Sequence, residues 1–233
     1  MTPFDPIFWT ALLKIIGVNI VLSGDNAVVI ALAARSLPPK QQKQAVFWGS
    51  GAAIVMRIVL TLFAVALLAL PWLKLVGSVL LLWIGIKLLT DSEEGEDGVK
   101  DHDSMLAAIK TILVADLVMS LDNVIAVAAA AKNDLLLVMI GLAISIPLII
   151  YASTLLIKVM ERFPIVITIG AALIGWVAGE MAWDEAVIKS FTSQYPRWFE
   201  YVAAAVGAVL VIGVGKLLAK RVGTEREPTP TKI

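Results

Sequence analysis

Long apolar stretches alternate with short polar segments along the whole chain. Seven stretches of 18 or more mostly apolar residues can be distinguished. As helices, each would be long enough to cross the hydrocarbon core of a bilayer, which is about 30 Å thick. The stretches cover residues 8–34, 45–70, 72–90, 105–131, 135–157, 164–182 and 199–219. The pattern therefore predicts an all-α, polytopic membrane protein with seven transmembrane helices, whose first partner is the lipid bilayer.

Composition supports this class and excludes others. Hydrophobic residues make up 59% of the 233 positions and charged residues only 16%, against about 45–50% and 25% in soluble domains. The absence of cysteine excludes disulfides and thiolate metal sites. A net charge of zero gives no indication of a nucleic-acid partner. Neither a nucleophile–base pair nor a phosphate-binding loop is recognisable, so we expect a protein without enzymatic activity and without a prosthetic group.

Lysine and arginine are distributed unevenly between the two sides that the seven stretches define. Thirteen lie on one side and four on the other. Cytoplasmic loops of membrane proteins carry the excess of positive charge. We therefore expect the N-terminus outside and the C-terminus in the cytoplasm.

The chain also contains an internal repeat. Residues 19–35 align without gaps on residues 116–132 with seven of 17 positions identical, including a shared Ser-x-Asp-Asn. Further along each unit, Gly77, Trp83 and Lys87 correspond to Gly170, Trp176 and Glu180. Each unit holds three spans, and three is odd, so the second unit should cross the membrane in the opposite sense. Two inverted three-helix repeats plus one extra helix is an architecture of secondary transporters.

The repeat divides the chain into five segments. Residues 1–90 form the first three-helix repeat and residues 104–182 the second. Residues 183–222 contain an outer loop and the seventh helix, and residues 223–233 a disordered cytoplasmic tail. Residues 91–103 carry seven acidic side chains, which favours a disordered cytoplasmic linker, although such a segment could also concentrate cations near an entrance.

The repeated motifs place ionisable and amide side chains deep in predicted spans, where a charge costs several kcal/mol unless it is paired or faces a cavity. Opposite crossing puts Asp25 and Asp116 at similar depths, and likewise Asn19 and Asp122. A local break at Gly24 could turn Asp25 inward. Hard oxygen donors of this kind suit Mg²⁺, Ca²⁺ and Mn²⁺. The candidate metal ligands are Asp25, Asn26, Asp122, Asn123, Asp116, Asn19, Ser23 and Ser120.

The same side chains could instead only bridge helices through hydrogen bonds. That interpretation is adequate for the two serines and for Asn19, but it accounts poorly for three carboxylates. Arg57 is the deep cation available to balance them. It could serve as a general counter-charge inside the bundle or pair with one aspartate.

Four local motifs resemble those of the TerC family of integral membrane proteins. They are Ser23-Gly-Asp-Asn26, Asp116 with Ser120-Leu-Asp-Asn123, Met56-Arg57, and Gly175-Trp-x-x-Gly-Glu180. The resemblance covers residues 7–220 and is strongest to the short YjbE-like branch, associated with metal transport within the wider LysE-like group. It implies Mn²⁺ export from a bacterial cytoplasm across the inner membrane, with the two acidic motifs forming the ion site.

We therefore expect a divalent metal transporter with Mn²⁺ as the transported ion. Protons are a plausible counter-ion, since neighbouring carboxylates can exchange protons for metal. A Ca²⁺/H⁺ exchanger or a small-solute exporter is the alternative within transport. A non-transporting membrane scaffold that delivers metal to exported proteins is the alternative from another class. The sequence leaves open whether the protein is a homo-oligomer.

Overall fold

The structure is a computed structural model that describes residues 9–10, 12–17, 24–68, 70–91, 101–130 and 135–225. Within these ranges, the side chains of residues 62, 64–68, 101–104, 122, 124–130, 135–138, 142 and 221–225 are outside the description.

The described chain is helical throughout, and no strand occurs in it. Residues 12–17 form a helical segment. The numbered helices are α1 (Gly24–Ala34), α2 (Pro39–Leu68), α3 (Leu73–Thr90), α4 (Asp101–Ala130), α5 (Leu135–Arg162), α6 (Ile165–Trp183), α7 (Lys189–Thr192) and α8 (Trp198–Glu225).

Five segments of these helices are long and apolar enough to cross a membrane. They are Pro39–Thr61, Leu73–Thr90, Met139–Arg162, Ile165–Trp183 and Trp198–Lys220. The prediction of an all-helical protein with several membrane-spanning helices is therefore confirmed. The count of seven and the inverted repeat stay predictions, because parts of the first and fourth predicted spans lie outside the described side chains.

Several helices extend beyond the apolar stretches that predicted them. α2 begins at Pro39 rather than at 45, where a proline costs a helix little because its missing N–H has no helical partner. α4 begins at Asp101, inside the segment predicted as a linker, and α8 continues to Glu225, inside the predicted tail. Hydropathy marks only the part of a helix that lies in lipid, so polar turns at the ends escape it. Residues 92–100 and 226–233 lie outside the described residues.

α2 has the polarity expected of a membrane helix, the reverse of a soluble one. Its buried face carries Ser50 and Arg57, each 2% exposed. Its exposed face carries Trp48, Val55 and Phe63. In water this distribution would be unfavourable, because it buries a charge and exposes large apolar groups. In a bilayer the apolar groups face lipid and the polar groups pack against neighbouring helices.

α1 lies at the centre of the helix packing. It contacts α2, α4, α5 and α6, which belong to both predicted repeats. From Val29 to Ala34 every side chain is buried, as expected of a helix that is apolar on all sides. The position of α1 brings the first acidic motif to the region where the two halves meet.

Two pairs of side chains that the repeat aligns make matching local contacts. In α3 the ammonium group of Lys87 lies 5.5 Å from the ring centre of Trp83. In α6 the indole N–H of Trp176 donates to Glu180 at 2.7 Å. Each tryptophan therefore contacts the charged residue four positions on, which favours an interfacial role for Lys87 and Glu180.

α6 and α8 pack with their backbones in contact. A Cβ on Gly179 would lie 2.2 Å from the carbonyl oxygen of Ala203, and one on Gly175 would lie 2.5 Å from that of Gly207. The sequence Gly175-x-x-x-Gly179 is thus a helix-packing motif, because small residues let helices approach closely where lipid supplies no hydrophobic drive.

We expect Gly179→Ala to lower the melting temperature of the protein in detergent, since its methyl group overlaps backbone that cannot rotate away. Overpacking of this kind costs about 1–3 kcal/mol. Gly213→Ala on α8 is the matched control, because a Cβ there meets nothing within 4 Å. Equal melting temperatures for the two variants would show that the α6–α8 contact is looser than described.

A cluster of charged groups ties the start of α3 to the end of α6, at the end of the bundle that the sequence predicts to face outward. Asp184 accepts from Lys74 at 2.6 Å and also pairs with Lys189. Glu185 is 1% exposed. Its carboxylate accepts the backbone N–H of Leu75 at 3.1 Å, so it satisfies a donor at the N-terminus of α3 that the helix itself leaves open.

These contacts set the direction in which the two carboxyl groups titrate. Burial by itself would raise the pKa of Glu185, but backbone N–H groups of Leu75, Val187, Trp72 and Lys74 hold it below its ordinary value. Burial would likewise raise the pKa of Asp184, but the hydrogen bonds from Lys189 and Lys74 hold this pKa below its ordinary value. Both groups therefore stabilise the folded protein in their charged form.

The protein should lose stability on acidification, and Glu185→Gln should reduce this loss. A pKa lowered by folding gives stability that is fully present above the ordinary value, 4.5 for this group, and is lost as the pH falls below it. Glu185→Gln should also cost about 1–3 kcal/mol at neutral pH. Melting curves from pH 7 to pH 3 measure both effects. An unchanged acid dependence in the variant would contradict this role of Glu185.

Candidate ion-binding site

The centre of the candidate site is a buried ion pair between α2 and α4. Nη2 of Arg57 lies 2.5 Å from Oδ1 of Asp116, and both side chains are almost completely buried. Nε of Arg57 donates to Oγ of Ser120 at 2.9 Å. Oγ of Ser120 in turn donates to Oδ2 of Asp116 at 3.1 Å. The three groups form a closed ring in which both carboxylate oxygens accept a hydrogen bond.

The sequence explains why this ring forms. Asp116 and Ser120 are four residues apart on α4 and so lie on one face of the helix. Arg57 approaches them from α2, whose buried face also includes Ala53 and Ser50. Of the two roles that the sequence left open for Arg57, the structure shows pairing with one aspartate. Ser120 acts here as a hydrogen-bond bridge between the charged partners.

Asp25 lies in the first described turn of α1 and is partly buried. It is within electrostatic range of both Arg57 and Asp116. The backbone N–H of Asn26 donates to Oδ1 of Asp25 at 2.8 Å. The predicted helix break at Gly24 stays a prediction, because residues 18–23 lie outside the described residues. Asp25 and Asp116 thus lie within electrostatic range of each other, and their similar depth in the membrane stays a prediction.

The other candidate ligands divide into described and undescribed groups. Asn26 and Asn123 are buried, at 2% and 8% exposure, so each places a side-chain amide inside the bundle. Asp122 lies on α4, but its side chain is outside the description, and Asn19 and Ser23 lie outside the described residues altogether. Among the described side chains, no three carboxyl or histidine groups converge as a metal site would require.

The cluster at the far end of α6 was missed by the sequence analysis. Glu185 and Asp184 follow directly after a predicted span, a position that usually indicates an interfacial residue. The near-complete burial of Glu185 could not be inferred, because it depends on the N-terminus of α3, which is distant in the sequence. These groups belong to helix packing and lie apart from Arg57.

The buried pair generates a prediction about stability. Asp116→Leu should cost about 3–5 kcal/mol, because it leaves the Arg57 charge in the bundle without its carboxylate partner. Arg57→Met should cost a similar amount for the converse reason. The double variant should recover much of the loss, since two apolar groups of similar size replace the pair. Melting temperatures of the four proteins form a double-mutant cycle, and additive losses would contradict a direct Arg57–Asp116 interaction.

Comparison with known proteins agrees with the assignment as a membrane protein. The chain is 44% identical over 185 residues to the uncharacterized membrane protein YjbE of Bacillus subtilis (strain 168), covering 79% of this chain and 84% of that protein. It is 28% identical over 216 residues to the UPF0053 inner membrane protein YgdQ of Escherichia coli (strain K12), covering 85% and 89%. No solved structure matches the chain. Residues 4–223 match the TerC family, and the chain therefore belongs to this family of integral membrane proteins.

Proposed function

We propose that the protein is a divalent cation transporter that exports Mn²⁺ across the bacterial inner membrane. The observation that carries the proposal is the buried Arg57–Asp116 pair, with Asp25 within electrostatic range of both partners. Carboxylates at such a depth are expensive and usually mark an ion pathway. A purely structural role would need only enough acid to balance the one arginine.

The charge balance of the motifs favours a divalent ion. Asp25, Asp116 and Asp122 contribute three negative charges when ionised, and Arg57 contributes one positive charge. The remaining charge of minus two is neutralised by one divalent cation and is only half neutralised by Na⁺ or K⁺. In a medium of low dielectric constant this difference is worth several kcal/mol.

The ligand chemistry favours a hard cation. Carboxylates together with the buried amides of Asn26 and Asn123 supply oxygen donors, which suit Mn²⁺, Mg²⁺ and Ca²⁺. Mn²⁺ is our choice because the chain belongs to the TerC family and the resemblance in the motifs implies manganese. The ion is the substrate of the protein, and no prosthetic group is required.

The packing of the two halves suggests how access alternates. Gly77 on α3 accommodates Val118 of α4, and Gly170 on α6 accommodates Val28 and Leu32 of α1. The third helix of each predicted repeat thus contacts the first helix of the other. Rocking of one repeat against the other would then expose the site to each side in turn. Carboxylates released by the metal can take up protons, which makes the exchange of Mn²⁺ for H⁺ the simplest coupling.

The positive-inside distribution of lysine and arginine supports an N-terminus outside and a C-terminus in the cytoplasm. A relative named as an inner membrane protein supports the same membrane for this chain.

A metal-delivery scaffold is the alternative from another class. Its function would depend on the folded protein and would tolerate the loss of the acidic site residues. A Ca²⁺/H⁺ exchanger would use the same residues with another ion.

Metal flux into proteoliposomes tests the proposal. Purified wild type should give saturable Mn²⁺ flux, and Asp25→Asn and Asp122→Asn should each lower it at least tenfold, because each removes one charged ligand. Ca²⁺ and Mg²⁺ are measured in parallel to identify the preferred ion. Glu161→Gln is the matched control, since Glu161 is an exposed acid at the end of α5.

Three results would go against the proposal. Absence of flux of all three ions from folded, oriented wild type would favour the scaffold. Full Mn²⁺ flux in the Asp25 and Asp122 variants would place the site elsewhere. A faster flux of Ca²⁺ than of Mn²⁺ would favour a calcium exchanger over a manganese exporter.

A further inference from the structure

Helix packing alone does not require the Arg57–Asp116 pair. α2 and α4 already touch two turns away, where a Cβ on Gly49 would lie 2.8 Å from Cδ1 of Ile112. A buried ion pair often stabilises a protein no more than apolar residues of the same size. The position of the pair beside Asp25 therefore calls for a reason other than stability.

Arg57 and an incoming cation would compete for the same carboxylate. Oδ1 of Asp116 accepts Arg57 and Oδ2 accepts Ser120. A divalent ion bound to Asp116 would sit within a few ångströms of the guanidinium group, where two like charges in a medium of low dielectric constant repel strongly. The two cations cannot both be bound closely to Asp116.

We propose that Arg57 is a resident counter-cation that holds Asp116 while no metal is bound and releases it to the arriving divalent ion. This inference rests on the proposed transport function and assigns a role to a residue that is not itself a ligand. Asp25 lies within electrostatic range of Arg57, so a divalent ion held by Asp25 also repels the guanidinium group. Ser120, which contacts both partners, provides a shared hydrogen-bond partner during the exchange.

A transport cycle then has two crossings, one with metal and one without, and a different cation neutralises Asp116 in each. In the crossing with metal, the ion itself neutralises Asp116. In the crossing without metal, Arg57 must do so, because an uncompensated carboxylate in the bundle raises the energy of every conformation through which it passes. Loss of the Arg57 charge should therefore impair the metal-free crossing more than the loaded one.

The test compares wild type, Arg57→Gln and Arg57→Lys in proteoliposomes. Net Mn²⁺ flux requires both crossings, whereas exchange of internal Mn²⁺ for external labelled Mn²⁺ requires only the loaded one. For Arg57→Gln we expect net flux to fall at least tenfold while exchange is retained. The Kd for Mn²⁺ should fall on the order of tenfold to a hundredfold, because a competing positive charge is gone.

Thermal melting supplies a readout that does not depend on transport. Without metal, Arg57→Gln should have a lower melting temperature than wild type. Addition of Mn²⁺ should raise the melting temperature of the variant more than that of wild type, because tighter binding stabilises the folded state more. A purely structural tie would lower the melting temperature and leave the gain from Mn²⁺ unchanged.

Arg57→Lys keeps the test decisive if Arg57→Gln does not assemble. Lysine retains the charge but cannot contact Asp116 and Ser120 together as a guanidinium does. We expect it to retain net flux and to bind Mn²⁺ several-fold more tightly than wild type. An unchanged Kd in Arg57→Lys would overturn the inference.

The remaining outcomes separate the inference from the function beneath it. Wild type that neither binds nor transports a divalent ion would remove both. Active wild type with an Arg57→Gln variant that loses net flux and exchange equally, or loses neither, would remove the counter-cation role and leave the transporter in place.

Discussion

The need to compensate charge in an apolar bundle determines the arrangement of this protein more than any other constraint. Arg57 and Asp116 are each expensive in a bilayer, and each is acceptable because the other lies 2.5 Å away. Ser120 completes the pair by contacting both. This requirement fixes the relative rotation of α2 and α4 and turns their polar faces inward, and it leaves the large apolar side chains of α2 facing outward.

The other helices place a second carboxylate beside this pair. α1 contacts helices of both predicted repeats, and Asp25 in its first described turn lies within electrostatic range of Arg57 and Asp116. Close approach at Gly77 and Gly170 lets the third helix of each half pack on the first helix of the other. Away from this centre, α6 packs closely on α8, and Glu185 joins the end of α6 to the start of α3. Close packing at the periphery around a charged centre is consistent with the proposed transport of an ion.

The sequence predicted the membrane class and most helices correctly, because hydropathy reports directly on the part of a helix in contact with lipid. It also predicted that Asp25 and Asp116 share one region of the bundle, and the structure places them within electrostatic range of each other. The opposite crossing of the two motifs, from which that prediction came, stays a prediction. The sequence could not choose the partner of Arg57, which depends on the rotation of α2 about its axis. Nor could it find the burial of Glu185, which depends on α3. The metal-binding roles of all eight candidate ligands stay predictions, and Asn19, Ser23 and the Asp122 side chain lie outside the description.

The most direct test of the account is equilibrium binding of Mn²⁺ to the purified protein. Equilibrium dialysis with labelled Mn²⁺ should find one saturable ion for each chain of the wild type, and Asp25→Asn should weaken this binding at least tenfold while the variant remains folded. Binding of no ion, or equal binding by the wild type and by Asp25→Asn, would contradict a metal site at the centre of the bundle.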